Sequence, residues 1–164
     1  MLAVRQRSVA RRERRDGSVP KHWPTASIGL GSATISSYTE HVTAALDPGK
    51  LASAACSPVD ASTPPLPADE VRRLAAGIDP AWQVQPDRLV RDLRFGTFSG
   101  AFGLATRIAL LAEQQGHHPT MEIAWGRLVV TWQTDAIGAI TANDLIMAAK
   151  VDRIVDRGLG IKEP

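Results

Sequence analysis

The hydrophobic pattern of this 164-residue chain predicts an α+β fold, a four-stranded and mainly antiparallel sheet with three helices packed on one face. Apolar residues recur at helical spacing in three segments and alternate with period two in four short ones. The segments run helix, two strands, long helix, two strands, helix, with a turn signal between the strands of each pair.

The first helix is read over 68–78, where Val71, Leu74, Ala75 and Ile78 share one face. Acids sit in its first turn and Pro80 lies just beyond its end. Residues 82–85 read as a short strand. Pro86 and Asp87 turn the chain into a second, 88–95, with Leu89, Leu93 and Phe95 on one side. A long helix is expected over 98–115, its apolar stripe being Phe98, Ala101, Phe102, Ala105, Ile108, Ala109 and Ala112. Gly116 is suited to ending it in a left-handed conformation. Met121, Ile123 and Trp125 alternate on the third strand, and Leu128, Val130 and Trp132 on the fourth. Gly126-Arg127 between them fits a type II′ turn. Thr141 and Asp144 have capping-box spacing at the start of the last helix, whose buried face continues through Leu145, Ala148, Ala149 and Val155.

Residues 1–66 obey different physics. They carry a net charge of +3 against −1 for 67–164, hold six arginines between Arg5 and Arg15, six of the eleven prolines, and only two aromatics, Trp23 and Tyr38. No helical or strand period persists there. Such a composition buries too little apolar surface to offset about 1–2 kcal/mol of backbone entropy per ordered residue. The expectation is a mostly disordered N-terminal extension, with a short helix around 38–46 at most, followed by a folded domain over 67–161. The arginine cluster lacks the apolar core of a secretory signal. It has the composition of an organellar transit peptide, of a basic arm for nucleic acid or anionic lipid, and of a plain solvated tail. The tail reading places the protein in the cytoplasm, the transit-peptide reading in a mitochondrion or plastid.

Composition also excludes. No run of about 18 apolar residues exists, so no spanning helix is expected. A single cysteine, Cys56, rules out an internal disulfide framework and a Cys-based zinc finger. A net charge of +2 is too weak to suggest a nucleic-acid partner. Neither a phosphate-binding glycine loop nor a Gly-x-Ser-x-Gly elbow is present.

The chemistry concentrates in residues 113–119. Glu113 precedes His117 by four residues near a helix end, so the two side chains are expected to meet on one face. Pro119 biases His118 away from helical backbone. Two imidazoles held at a helix-to-strand junction and pointing apart suit an acid and a base on two sides of one small substrate. Adjacent histidines are as often packing or surface residues. A metal site needs three or more convergent ligands, and neighbours in an extended chain diverge, so no metal is expected.

These residues resemble the pterin-4a-carbinolamine dehydratase family. The likeness runs through Trp82, Arg91, Phe95, Phe98, Ala101 and Phe102, then Ala112, Glu113, His117, His118 and Pro119. It continues at Trp125, Thr134, Ile140, Thr141, Asp144 and Ala148. The resemblance implies a cofactor-free dehydration of a 4a-hydroxytetrahydropterin to the quinonoid dihydropterin, as in tetrahydrobiopterin recycling. It implies His117 and His118 as catalytic residues supported by Glu113, with Pro119, Asp135 and Asp144 at the substrate. The partners implied are a small-molecule pterin and further copies of the chain, as a dimer or tetramer, with neither membrane nor nucleic acid. Asp135 stands where the family usually has a third histidine. It reads equally as a ligand to water or imidazolium and as a polar cap, and Asp144 has the same double reading. That departure leaves a second function open, a catalytically weak relative used for binding, of the transcription-cofactor or Rubisco-chaperone type.

Overall fold

The computed structural model describes residues 46–155 and 161–162. Period-two alternation builds its sheet. β2 (Leu89–Phe95) buries Leu89, Arg91, Leu93 and Phe95 and exposes Asp92 and Arg94, while β4 (Arg127–Trp132) buries Leu128, Val130 and Trp132. The two pair antiparallel with Leu89 opposite Trp132 and Leu93 opposite Leu128, so their inward side chains meet across the ladder. β1 (Gln83–Val84) pairs with the start of β2, and β3 (Thr120–Ala124) with β4, giving the order β1-β2-β4-β3. A fifth strand, β5 (Ile161–Lys162), joins β2 at Arg94 and Phe95. Two residues are too few to show a period, and the sequence pattern holds no sign of it.

The long helix α2 (Phe98–Gln115) has the expected limits for identifiable reasons. Thr97 is extended and its Oγ1 accepts from Gly100 N at 3.1 Å, and Gly116 closes the helix at φ 65° with its N–H on Ala112 O. Its buried stripe is Ala101, Leu104, Ala105, Ile108 and Ala112. Phe98 and Phe102 were expected in that stripe but are 44% and 54% exposed, with ring centroids 6.0 Å apart. Phe102 follows Ala101 by one residue, about 100° round the helix, which carries it off the buried face. α2 and α3 (Ala142–Val155) pack on the sheet; α1 (Ala68–Ala75) packs on α3 and on a 3-10 helix at Pro48–Ser53.

The hairpin turn also differs from expectation. Ala124 pairs with Arg127, so its two turn residues are Trp125 and Gly126, with Gly126 second at φ 64°. That is the glycine position of a type II turn, not of type II′. A Cβ there would lie 2.8 Å from Phe95 O, which bars any larger residue. Trp125 is left at the tip, 77% exposed, and β3 is an edge strand whose Met121 is only half-buried.

Arg91 is the one charge on the buried face of β2. Its guanidinium is held by Asp79 at 2.8 Å and, more closely, by Asp152 of α3, and lies over the Trp82 ring at 5.7 Å. Asp152 also accepts from Trp82 Nε1 at 2.7 Å and from Asp79 N at 2.9 Å. Burial pushes the Asp152 carboxyl above its ordinary range, with those hydrogen bonds and Arg91 pulling the other way. Two buried donors, Arg91 Nε and Trp132 Nε1, have no acceptor among the described residues.

Of the expected disordered extension, residues 1–45, with the arginine cluster and nearly all of the expected helix at 38–46, lie outside the described residues. Residues 46–66 correct that expectation: although mostly half-buried or exposed, they are anchored to the domain at Leu51 and Leu66. Leu51 is fully buried, worth about 1.5–3 kcal/mol for such a side chain. Lys50 and Leu51 belong to the 3-10 helix on α3, where Lys150 Nζ donates to Ala52 O and Arg153 Nη2 to Ser53 Oγ. Leu66 is buried and its N–H donates to Ile140 O at 2.8 Å. Among the described residues no helix is long and apolar enough to cross a membrane.

Candidate active site

The site begins with the glycine that ends α2. Its left-handed conformation swings the chain off the helix axis, and the next residue, His117, turns inward to 5% exposure. The His117 ring stacks on Trp132 of β4, 5.5 Å between centroids and 13° from parallel. Its Nε2 lies 2.7 Å from Asp144 Oδ1. Asp144, in the first turn of α3, is completely buried, and its Oδ2 accepts from Thr141 N at 2.7 Å and Thr134 Oγ1 at 2.9 Å. The capping role expected of Asp144 is therefore present, from the carboxylate back to the Thr141 amide. Because a carboxylate only accepts, Nε2 is the protonated nitrogen of His117, and in the neutral ring Nδ1 keeps its lone pair.

His118 faces the other way. It is exposed, and its Nε2 lies 3.0 Å from Glu113 Oε1, whose carboxylate is also exposed. The expected partnership of Glu113 with His117 is thus corrected: Gly116 takes His117 off the helical face before the fourth position is reached, and Glu113 meets His118. Pro119 follows, half-buried, where the chain extends into β3.

Both histidines line a cavity of about 170 Å³ together with Val59, Gly116, Gln133, Thr134, Asp135 and Ala136. Of the residues singled out from sequence, His117, His118 and Asp135 converge on this hollow. Glu113, Pro119 and Asp144 are not part of its wall; Glu113 and Asp144 stand behind one imidazole each. Four lining residues, Val59, Gln133, Thr134 and Ala136, were not singled out. Thr134 belonged to the family pattern without a role, Gln133 is tied to Asp87 by its amide at 3.0 Å, and Val59 carried no signal at all. Among the described residues no group of three or more His, Cys, Asp or Glu could hold a metal ion.

A larger cavity, about 520 Å³, lies beside the 3-10 helix and is lined in part by Asp79, Asp152 and Arg153. Its half-buried carboxylates are already spent. Asp79 takes Ala81 N and Arg91, and Asp152 takes Asp79 N, Trp82 and Arg91. The smaller hollow has ionisable side chains with unsatisfied capacity facing it, which is what acid–base chemistry needs.

An antiparallel sheet backed by two helices, with a buried Asp–His pair and an exposed Glu–His pair flanking one hollow, defines a small α+β domain equipped for proton transfer. Comparison with known proteins gives the family. The model of the pterin 4 alpha carbinolamine dehydratase family matches residues 64–154, and the chain belongs to that family. Over 104 residues it is 38% identical to the "Putative pterin-4-alpha-carbinolamine dehydratase" of Alkaliphilus metalliredigens, covering 63% of this chain and 94% of that one. Over 106 residues it is 40% identical to the protein of the same name from Rubrobacter xylanophilus, covering 64% and 98%. Among solved structures, it resembles a transcriptional coactivator/pterin dehydratase from Brucella melitensis at 32% identity and a TM-score of 0.52, covering 56% of this chain and 98% of that one.

Proposed function

We propose that the protein dehydrates a 4a-hydroxytetrahydropterin to the quinonoid dihydropterin. The observation that carries this reading is the convergence of two consecutive imidazoles, each backed by its own carboxylate, on one small hollow in a chain of this family. In the reaction the C4a–O bond breaks, the proton on N5 is lost, and water departs. His117, fixed by Asp144 with Nδ1 as its free base, takes the N5 proton. His118, at the wet rim and in exchange with solvent, protonates the departing hydroxyl. Glu113 orients His118, and Asp135 holds the polar edge of the ring or a water beside it. No cofactor enters this scheme.

The test is dehydration of freshly generated carbinolamine by the full chain. A rate above the spontaneous one supports the reading; folded protein that leaves the spontaneous rate unchanged rejects it. Self-association is proposed with it, through the free β3 edge and the exposed Ile123 and Trp125. Cytoplasmic residence is proposed with it, on the tail reading of the N-terminal arginine cluster.

A second reading has its own support. Asp135 replaces the family's usual histidine, the Brucella relative is described as a transcriptional coactivator as well as a dehydratase, and Phe98, Phe102 and Leu110 leave an apolar strip exposed on α2. A catalytically weak binding protein would keep its partner when His117 and His118 are both alanine.

A further inference from the structure

The stretch between the buried anchors Leu51 and Leu66 lies almost entirely outside the family match, which begins at residue 64. It is held midway at two points. Cys56 N donates to Gln115 Oε1 at 3.3 Å, and Ser57 and Asn143 exchange a reciprocal pair, Ser57 N to Asn143 Oδ1 at 3.0 Å and Asn143 Nδ2 to Ser57 O at 2.8 Å. Gln115 stands two residues before His117, and Asn143 directly precedes Asp144. The strap is therefore pinned to both elements that present the His117–Asp144 pair. Just past the second pin, Val59 reaches the hollow, half-buried, and Asp60 then turns the chain away by accepting from Ser62 N at 2.8 Å.

Among the described residues, Val59 is the only large apolar side chain in a wall otherwise made of imidazole, amide, hydroxyl, carboxylate and small residues. A hollow of about 170 Å³ is below the roughly 300–1,000 Å³ that envelops a drug-sized ligand, so a bicyclic ring must lean on whatever borders the mouth. We propose that Val59 is a substrate-positioning residue carried by this strap, an apolar wall against which the pterin ring packs while the imidazoles act on it. The inference rests on the dehydratase reading above. Val59 contributes binding shared by ground state and transition state, so its loss moves KM and spares kcat.

The experiment is steady-state dehydration of the carbinolamine by the full chain and its V59A, V59I, N143A and V59A/N143A variants, with melting temperatures recorded. V59A is expected to raise KM about 3- to 10-fold with kcat within about twofold, and V59I to stay near wild type. N143A unpins the strap and should raise KM similarly, with V59A adding little on top, since both remove one contact. Unchanged KM in V59A with normal folding overturns the proposal while leaving the dehydratase reading intact. So does a loss confined to kcat. Absence of any wild-type rate above the spontaneous one removes the reading, and Val59's role with it.

Discussion

Helix α3 carries an aspartate near each end, the fully buried Asp144 and the half-buried Asp152, eight residues or about 12 Å apart, and the two have opposite fates. Asp144 spends one oxygen on its own helix start and nearby threonines and the other on an imidazole that borders a hollow. Asp152 is committed to Arg91, Trp82 and the Asp79 backbone, beside a larger cavity that none of those groups is free to serve. On the proposed reading, cavity size therefore does not locate the chemistry. What distinguishes the Asp144 end is that its network terminates in a ring with a proton-accepting nitrogen to spare.

The comparison breaks first at the imidazoles. His117→Ala or His118→Ala should cost about 10²- to 10⁴-fold in dehydration rate, read by stopped-flow absorbance, with the fold retained. At the other end the effect is on stability. Asp152→Ala leaves Arg91 buried without its closest partner and should cost about 3–5 kcal/mol in urea denaturation, with KM for the carbinolamine unmoved. A rate loss of the size seen for His117 would show that the two ends are not separate.

Burial pushes the Cys56 thiol up to about 11, with Lys150 pulling it down and Asp144 pushing it further up. The folded protein thus holds the thiol proton more tightly than the unfolded chain. The stability gained is intact below about pH 9 and is lost as pH rises toward 11. Alkylation at pH 8 should be about 10²-fold slower in native protein than in denaturant, because the thiolate is that much rarer. Equal rates would mean that the strap does not hold Cys56 against the domain in solution. Asp135→His should raise turnover several-fold by adding a third imidazole to the hollow; a fall would show a site rebuilt around the carboxylate. Smallest is Glu113→Gln, an exposed pair worth about 0–1 kcal/mol, so less than about fivefold in rate.

Helix α2 was legible to the residue because a side-chain cap and a left-handed glycine bound it, and both are local signals. The sheet was legible because β2 and β4 alternate. Arg91 sits in that alternation on the inward face, yet a charged residue reads as outward until carboxylates 12 and 61 residues away are seen beside it. The histidine pair was legible as a pair, but not which acid serves which ring, since Gly116 resets the direction of the chain between Glu113 and His117. Residues 46–66 were read as disordered because they have no period. They are held by two buried leucines, Leu51 and Leu66, and by hydrogen bonds to side chains 59 and 86 residues distant, which composition does not encode.

The central claim is that one pterin ring sits between both imidazoles. Titrating a stable dihydropterin into protein with ¹⁵N-labelled histidine, and following the ring nitrogens of His117 and His118 by long-range ¹H–¹⁵N NMR, tests it most directly. Both rings are predicted to shift along a single binding curve, with His117 Nε2 protonated throughout. Saturating ligand that leaves either ring unmoved contradicts the account.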